Sequence, residues 1–322
     1  MDARKRTRTL VTGGAGFIGS HLCDALIDRG HEVVCLDNLF TGDIRNIDHL
    51  LGLSRFEFLQ QDVTLPLHLD VDEIYNLACP ASPVHYQREP VLTIRTAVQG
   101  AINLLDLAKR QGCKILQAST SEVYGDPLQH PQREEYWGNV NPIGVRSCYD
   151  EGKRCAETLF FDYHRQHGVA IKVARIFNTY GPRMQPDDGR VVSNFIVHSL
   201  CGRDVTIHGD GSQTRTFCFV DDMVRGLIAL METADNVTGP VNLGSDGECS
   251  IRVLATLVAD ATSKPLGVTF ADRLSDDPCR RQPDLSRARQ LLDWSPKTDL
   301  KQGLAATVEH FRTVLEIEKR LA

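Results

Sequence analysis

The chain has 322 residues, 36 of them basic and 42 acidic, for a formal net charge of −6. Hydrophobic residues make up 42% and charged residues 24%, which excludes an intrinsically disordered chain. The acidic excess excludes nucleic-acid binding through a global positive field, but not a local basic pocket for an anionic ligand.

Met1 to Thr9 is basic, but glycine-rich sequence follows it instead of an apolar signal core. No apolar run approaches about 18 residues, so neither a signal peptide nor a membrane span is expected. From there, short β-rich runs alternate with longer helical patterns. Strands are predicted at 8–12, 32–37, 56–62, 73–78, 114–119 and 170–177, with helices near 16–29, 90–111, 149–167 and 191–201. Strand, helix, strand in repetition predicts an α/β fold, a Rossmann-type doubly wound parallel sheet with right-handed crossovers. After about residue 178 the rhythm changes to turn-rich segments such as Gly181-Pro182-Arg183 and Gly209-Asp210-Gly211. Helices follow near 221–232, 251–261, 286–292 and 300–321. Residues 1–178 therefore read as one lobe, with some later segments interleaved, and 179–322 as most of a smaller C-terminal α/β lobe.

The ten cysteines are irregularly spaced and form no CxxC pair, which points to reduced thiols in a reducing, cytoplasmic setting. Eleven histidines form no HExxH or other ligand spacing, so no metal site is expected. Trp137 and Trp294 read as packing anchors, and Cys148 as a packed small hydrophobe.

The first strand runs into Thr12-Gly13-Gly14-Ala15-Gly16-Phe17-Ile18-Gly19, which opens the first helix. Gly14, Gly16 and Gly19 fit G-x-G-x-x-G, a pattern that lets backbone approach a pyrophosphate at a helix N-terminus. Asp37 ends the second strand, where a carboxylate accepts from ribose hydroxyls and repels a 2′-phosphate; this favours NAD over NADP. Asp62 and Val63 are placed to meet the adenine, and Leu77 with Ala78 to line the cofactor cleft.

Tyr149 and Lys153 stand at i and i+4 on one helix face. A lysine ammonium there is expected to lower the phenol pKa, so that the tyrosine exchanges a proton with a substrate alcohol. Ser119-Thr120-Ser121-Glu122 falls at a strand end, where ligands meet open parallel sheets.

Taken together, these motifs resemble the extended short-chain dehydrogenase/reductase family, and within it the branch that decarboxylates UDP-glucuronate. The resemblance runs from Arg8 to about Arg312. It is carried by Leu77-Ala78-Cys79-Pro80-Ala81-Ser82-Pro83, by Thr120 to Pro127, by Tyr136 to Gly144, by Ser147 to Arg154, by Ala174 to Arg183 and by Asp188 to Phe195. Related 4,6-dehydratases carry Thr-Asp-Glu where this chain has Thr120-Ser121-Glu122, and related 4-epimerases generally lack the Glu. The chain departs from the branch at Cys79, where Ser is usual, at Ala97, where Asn is usual although Asn103 is kept, and at Arg95, where Lys is common.

The resemblance implies conversion of UDP-glucuronate to UDP-xylose through a 4-keto sugar, with NAD regenerated in the cycle. It makes Tyr149, Lys153, Thr120, Glu122 and Arg281 the catalytic candidates. Gly13, Gly16, Phe17, Ile18, Asp37, Asn38, Thr41, Gly42, Asp62, Val63 and Leu77, with Tyr149 and Lys153, become the cofactor candidates. Arg95, Ser121, Asn178, Arg190, Arg215 and Arg281 become the substrate candidates, Arg281 for the sugar carboxylate. It also implies a homodimer through the two long helices, with neither a nucleic-acid partner nor a membrane. Left open are an oxidase-decarboxylase releasing the 4-keto pentose and NADH, a 4-epimerase or 4,6-dehydratase, and a non-catalytic NAD-sensing protein.

Overall fold

The computed structural model describes residues 6–272 and 280–321. Asp277, Pro278 and Cys279, which immediately precede Arg280 and Arg281 in the sequence, lie outside the described residues. Elements are named in chain order: β1 (Arg8–Thr12), α1 (Phe17–Asp28), β2 (Glu32–Asp37), β3 (Phe56–Gln60), β4 (Glu73–Asn76), α2 (Pro83–Arg88), α3 (Pro90–Gln111), β5 (Lys114–Thr120), α4 (Ser147–His167) and β6 (Ile171–Ile176). Then come β7 (Thr179–Tyr180), α5 (Val191–Leu200), β8 (Val205–His208), β9 (Thr214–Thr216), β10 (Cys218–Phe219), α6 (Val220–Met231), β11 (Val241–Leu243), β12 (Glu248–Ser250), α7 (Ile251–Thr262), β13 (Val268–Ala271), β14 (Arg280–Arg281), α8 (Ser286–Leu292) and α9 (Leu300–Leu321).

A seven-stranded parallel sheet in the order β11-β6-β5-β4-β1-β2-β3 forms the centre. Apart from the edge strand β3, its strands are buried at most positions because both faces are covered, as in parallel sheets generally. Alternate residues face opposite layers. Leu10, Val34, Leu36, Ile74, Ile115 and Ile171 pack with Leu104 and Leu105 of α3 and Phe160 of α4. Val11, Val33, Cys35, Tyr75 and Leu116 join the core formed with Leu22 and Leu26 of α1 and Leu227 of α6.

Several boundaries differ from the sequence expectation. β4 stops at Asn76, not residue 78, because the Leu77 and Ala78 amides turn to the Thr12 carbonyl and hydroxyl, 3.1 and 3.3 Å away. β3 stops at Gln60, β6 spans Ile171–Ile176, and α4 begins at Ser147, not Tyr149. β11 has only three residues, too short for a visible period, yet it joins the main sheet from the later half of the chain. Its fully buried Asn242 accepts from the Tyr124 hydroxyl at 2.8 Å and donates to the carbonyls of Gln132 and Asp284.

Outside the main sheet, β9 pairs parallel with β14 in a three-stranded sheet, placing Arg215 beside Arg281. Trp294 is buried and donates its indole N–H to the Asp222 carbonyl, as befits an anchor. Trp137 does not fit that role: it is 88% exposed, and only its backbone carbonyl is tied down, by Arg154. No helix among the described residues is long and apolar enough to cross a membrane.

Candidate active site

The carboxyl ends of β1, β4, β5 and β6 open into a cleft of about 650 Å³. At one end the chain turns from β1 into α1. Gly13 has φ +68°, and a Cβ there would lie 3.0 Å from the Ala78 backbone. A Cβ on Gly19 would fall 2.1 Å from the Gly13 carbonyl oxygen. Only glycines allow this close packing, which brings the open N-terminus of α1 to the cleft wall. Gly13, Gly16, Phe17 and Ile18 all line the cleft.

Asp37 also lines it. Its oxygens accept from the amides of Ala15 at 3.1 Å and Leu39 at 2.8 Å, so this carboxylate braces the glycine turn. Burial pushes its pKa up, against the pull of those two amides. Each carboxylate oxygen keeps a lone pair for a further donor. Asn38, Thr41, Val63 and Leu77 complete this end. Two expected cofactor residues stand behind the wall instead. Gly42 packs on Asp37, where a Cβ would meet Oδ1 at 2.7 Å, and Asp62 accepts from the Asn38 side chain at 2.8 Å. The glycine cradle, the braced carboxylate and the apolar walls fit a dinucleotide.

At the centre, Tyr149 and Lys153 line the cleft from one face of α4, and Thr120 and Ser121 line it from the end of β5. Ser119, just before them, donates to Glu157 at 2.5 Å, and Glu157 is clamped by Arg175 at 2.8 and 3.0 Å. That buried link fixes the strand end against α4. The Tyr149 ring stacks on Tyr86, with centroids 5.2 Å apart and planes 4° from parallel.

The expected lowering of the Tyr149 pKa is not what these surroundings produce. Burial pushes the phenol well up, the neighbouring Cys79 adds to this, and the hydrogen bond with Thr120 works against it. Lys153 donates to the Ala118 carbonyl at 2.9 Å and sits 5.9 Å from the Tyr149 ring centroid. Burial also lowers the Lys153 pKa. Desolvation outweighs the attraction that the i, i+4 spacing suggested.

Beyond Tyr149 the cleft is lined by arginines. A short 3₁₀ turn over Ser121–Tyr124, capped by the Thr120 hydroxyl, swings Glu122 inward. Arg281 grips both oxygens of Glu122, through Nη1 to Oε1 and through Nη2 to Oε2 at 2.8 Å; Arg146 adds a third contact to Oε2 at 2.9 Å. Burial works to raise the Glu122 carboxyl, but the two guanidiniums prevail and hold it at about 2. Arg146 was not anticipated from the sequence, although it lies just before α4 and borders the Ser147 to Arg154 motif.

Asn178, Arg190 and Arg215 also line the cleft. Arg190 is paired with both oxygens of Asp188 at 2.7 and 2.6 Å, and Arg215 donates to the Thr214 carbonyl at 2.9 Å. Arg95 does not join them: it lies on the exposed side of α3, outside the cleft lining. Tyr86, His85 and Gln185 line the cleft although no sequence motif pointed to them, and Arg183, the last residue of the Ala174 to Arg183 segment, lines it without having been a site candidate. Among the described residues no group of acidic, histidine and cysteine side chains is arranged to hold a metal.

A Rossmann sheet with a glycine cradle, a Tyr-x-x-x-Lys face and an arginine-rich far end defines a dinucleotide-dependent enzyme acting on an anionic sugar-type substrate. The chain belongs to the NAD dependent epimerase/dehydratase family, whose profile matches residues 9–244. It is 57% identical over 309 residues to UDP-glucuronic acid decarboxylase 1 of Arabidopsis thaliana, covering 96% of this chain and 71% of the relative. It is 52% identical over 316 residues to the enzyme of the same name from Xenopus tropicalis, covering 98% and 75%. Among solved structures, the UDP-glucuronic acid 4-epimerase of Bacillus cereus in complex with UDP-glucuronic acid and NAD superposes with a TM-score of 0.85 at 31% identity, covering 95% of this chain and 99% of that one.

Proposed function

We propose that this chain decarboxylates UDP-glucuronate to UDP-xylose, using NAD that is returned to its starting state in each cycle. The observation that carries the reading is the Glu122–Arg281–Arg146 cluster beside Tyr149, in a chain more than half identical to decarboxylases of that substrate.

When bound, NAD would supply hydride transfer at sugar C4. Gly13 and Gly16 would hold its phosphates and Asp37 its ribose at the α1 end of the cleft. Tyr149 removes the proton of the C4 hydroxyl, and Thr120 donates to the same oxygen. Lys153 keeps positive charge beside the tyrosine. Arg281 and Arg146 offer planar donors to the sugar carboxylate, and Asn178, Arg190 and Arg215 to the UDP portion. Once C4 is a ketone, the substrate is a β-keto acid: the C5–carboxylate bond breaks, carbon dioxide leaves, and the electron pair rests on the C4 oxygen as an enolate. Thr120 stabilises that oxyanion until C5 is protonated.

The test is incubation with UDP-glucuronate and NAD, with carbon dioxide measured and the sugar nucleotide identified by NMR. Stoichiometric carbon dioxide and UDP-xylose, without build-up of absorbance at 340 nm, support the reading. UDP-galacturonate without carbon dioxide makes the chain a 4-epimerase like its structural neighbour, and a stoichiometric rise at 340 nm makes it an oxidase-decarboxylase.

The reading extends to a homodimer through α3 and α4, with exposed Val91 and Ile94 of α3 offering apolar surface for it. It also extends to a reducing, cytoplasmic setting, consistent with the free cysteines of the described residues.

A further inference from the structure

The segment between β7 and α5 is fastened at both ends across the cofactor side of the cleft. Its first residues are tied to α1. The His21 imidazole donates to the Pro182 carbonyl at 3.0 Å, and Arg183 pairs with Asp24 at 2.8 Å. Two residues on, the Gln185 side chain donates to the Thr41 carbonyl at 2.8 Å, in the loop after β2. The Asp188 amide donates to the Gln185 carbonyl at 3.2 Å and closes a turn. Past that turn, the hydroxyl of Ser82, in the loop after β4, donates to the Asp188 carbonyl. The Asp188 carboxylate then holds Arg190, whose guanidinium lies 5.8 Å from the ring centroid of Phe17, the first residue of α1.

In the central sheet, β1 lies between β2 and β4. A segment tied to the loop after β2 and to the loop after β4 must therefore cross the glycine turn that follows β1, where the pyrophosphate of a dinucleotide would sit. Its inner residues Met184, Gln185 and Asp188 line the cleft, whereas Asp187 is exposed. We propose that residues 182–190 form a strap over the cofactor, with Gln185 and Ser82 as positioning residues whose hydrogen bonds hold it shut while the dinucleotide carries the hydride. Each of these two ties is one hydrogen bond from a neutral side chain to a backbone carbonyl. The strap can therefore open without disturbing the sheet, and loops of this kind commonly set release rates. The inference deepens the proposed function and rests on it. A retained NADH returns its hydride to C4 and the cycle ends at UDP-xylose. An NADH that escapes first leaves the 4-keto pentose as the product.

The test follows NADH by its fluorescence as it binds to, and as excess NAD displaces it from, wild-type, Gln185→Met and Ser82→Ala enzyme, with no sugar nucleotide present. Losing one tie should speed dissociation by about two- to tenfold, and the double variant should exceed either single one. Association should quicken too, because a strap obstructs both directions, whereas a plain contact slows only departure. A second measurement needs no variant: in wild-type enzyme, hydrogen exchange of the 183–190 amides should slow when NADH binds. During turnover of UDP-glucuronate, the variants should release part of the product as UDP-4-keto pentose, with a matching rise at 340 nm. Dissociation at the wild-type rate, faster dissociation with unchanged association, or 183–190 amides indifferent to NADH would each overturn the strap. A wild-type enzyme that makes no UDP-xylose from UDP-glucuronate overturns the functional reading, while the NADH exchange rates still judge the strap.

Discussion

Arg281 closes both terminal nitrogens on the carboxylate of Glu122, a residue 159 positions earlier in the chain. Nothing local in the sequence joins them. The link depends on β14 pairing with β9 at one end of the cleft and on the 3₁₀ turn after β5 at the other. Both side chains are largely buried. Truncating Arg281 leaves Glu122 with Arg146 as its partner, so the cost should fall below the roughly 3–5 kcal/mol of a fully broken buried pair. Arg281→Ala should lower carbon dioxide release by about 100-fold or more, the scale seen when a preorganised donor is removed. Arg281→Lys, which keeps charge but loses the two-pronged grip, should fall between. Unchanged kinetics for Arg281→Ala would remove it from the carboxylate site.

Tyr149→Phe deletes the one hydroxyl placed to take the C4 proton. Turnover should drop by roughly 10²–10⁴-fold, the usual worth of a positioned acid–base group, while UDP affinity stays within a few-fold. The phenol pKa is pushed up by burial, then by Cys79. The wild-type rate should therefore climb with pH on its acidic limb as the phenolate forms. A pH-independent kcat between 6 and 9, measured with saturating substrate at each pH, would count against Tyr149 as the base.

The sequence announced the parts of this molecule built from local pattern. The alternation of short β-rich runs with longer helical patterns and the glycine spacing after β1 are written in consecutive residues, so the sheet and the glycine turn at its edge were legible. The Tyr149–Lys153 face and the Thr120-Ser121-Glu122 turn were legible for the same reason. What was hidden depends on distant partners. Arg146 becomes meaningful only when α4 is packed beside the turn that carries Glu122. The depressed Tyr149 pKa failed as an expectation because spacing reports proximity to a cation but not desolvation. Arg95 carries the charge that the resemblance asked for, but its place on α3 turns it away from the cleft.

Gly19→Ala tests the cofactor end. An added Cβ would lie 2.1 Å from a backbone carbonyl oxygen and 2.8 Å from the Gly14 Cα, so no side-chain rotation relieves it. The turn and α1 must move apart. Overpacking of this kind costs about 1–3 kcal/mol, and it displaces the helix N-terminus from the phosphate position. NAD affinity, read by fluorescence titration, should fall at least tenfold in a protein with near-normal far-UV circular dichroism. Normal affinity would show that the fingerprint turn does not hold the dinucleotide.

Glu122 and Asp150 should shape the pH dependence of stability in opposite directions. Glu122, held at about 2 against an unfolded value of about 4.3, contributes stability that is present above the unfolded pKa and lost as pH falls toward 2. Asp150 is raised to about 7 by burial and then by Glu122. Its contribution is fully present below its unfolded value of about 3.9 and is lost as pH rises through 7. A tenfold change in a group's proton affinity on folding corresponds to about 1.4 kcal/mol, so both effects are on the order of a few kcal/mol. Asp150→Asn should therefore match wild type in Tm near pH 4 and exceed it above pH 7. Glu122→Gln should be less stable than wild type at neutral pH, with a gap that narrows as acid protonates the wild-type carboxyl. Calorimetric melting at constant ionic strength from pH 3.5 to 8.5 reads both variants against wild type. An Asp150→Asn difference that stays constant across that range would mean the carboxyl is ionised throughout, despite its burial.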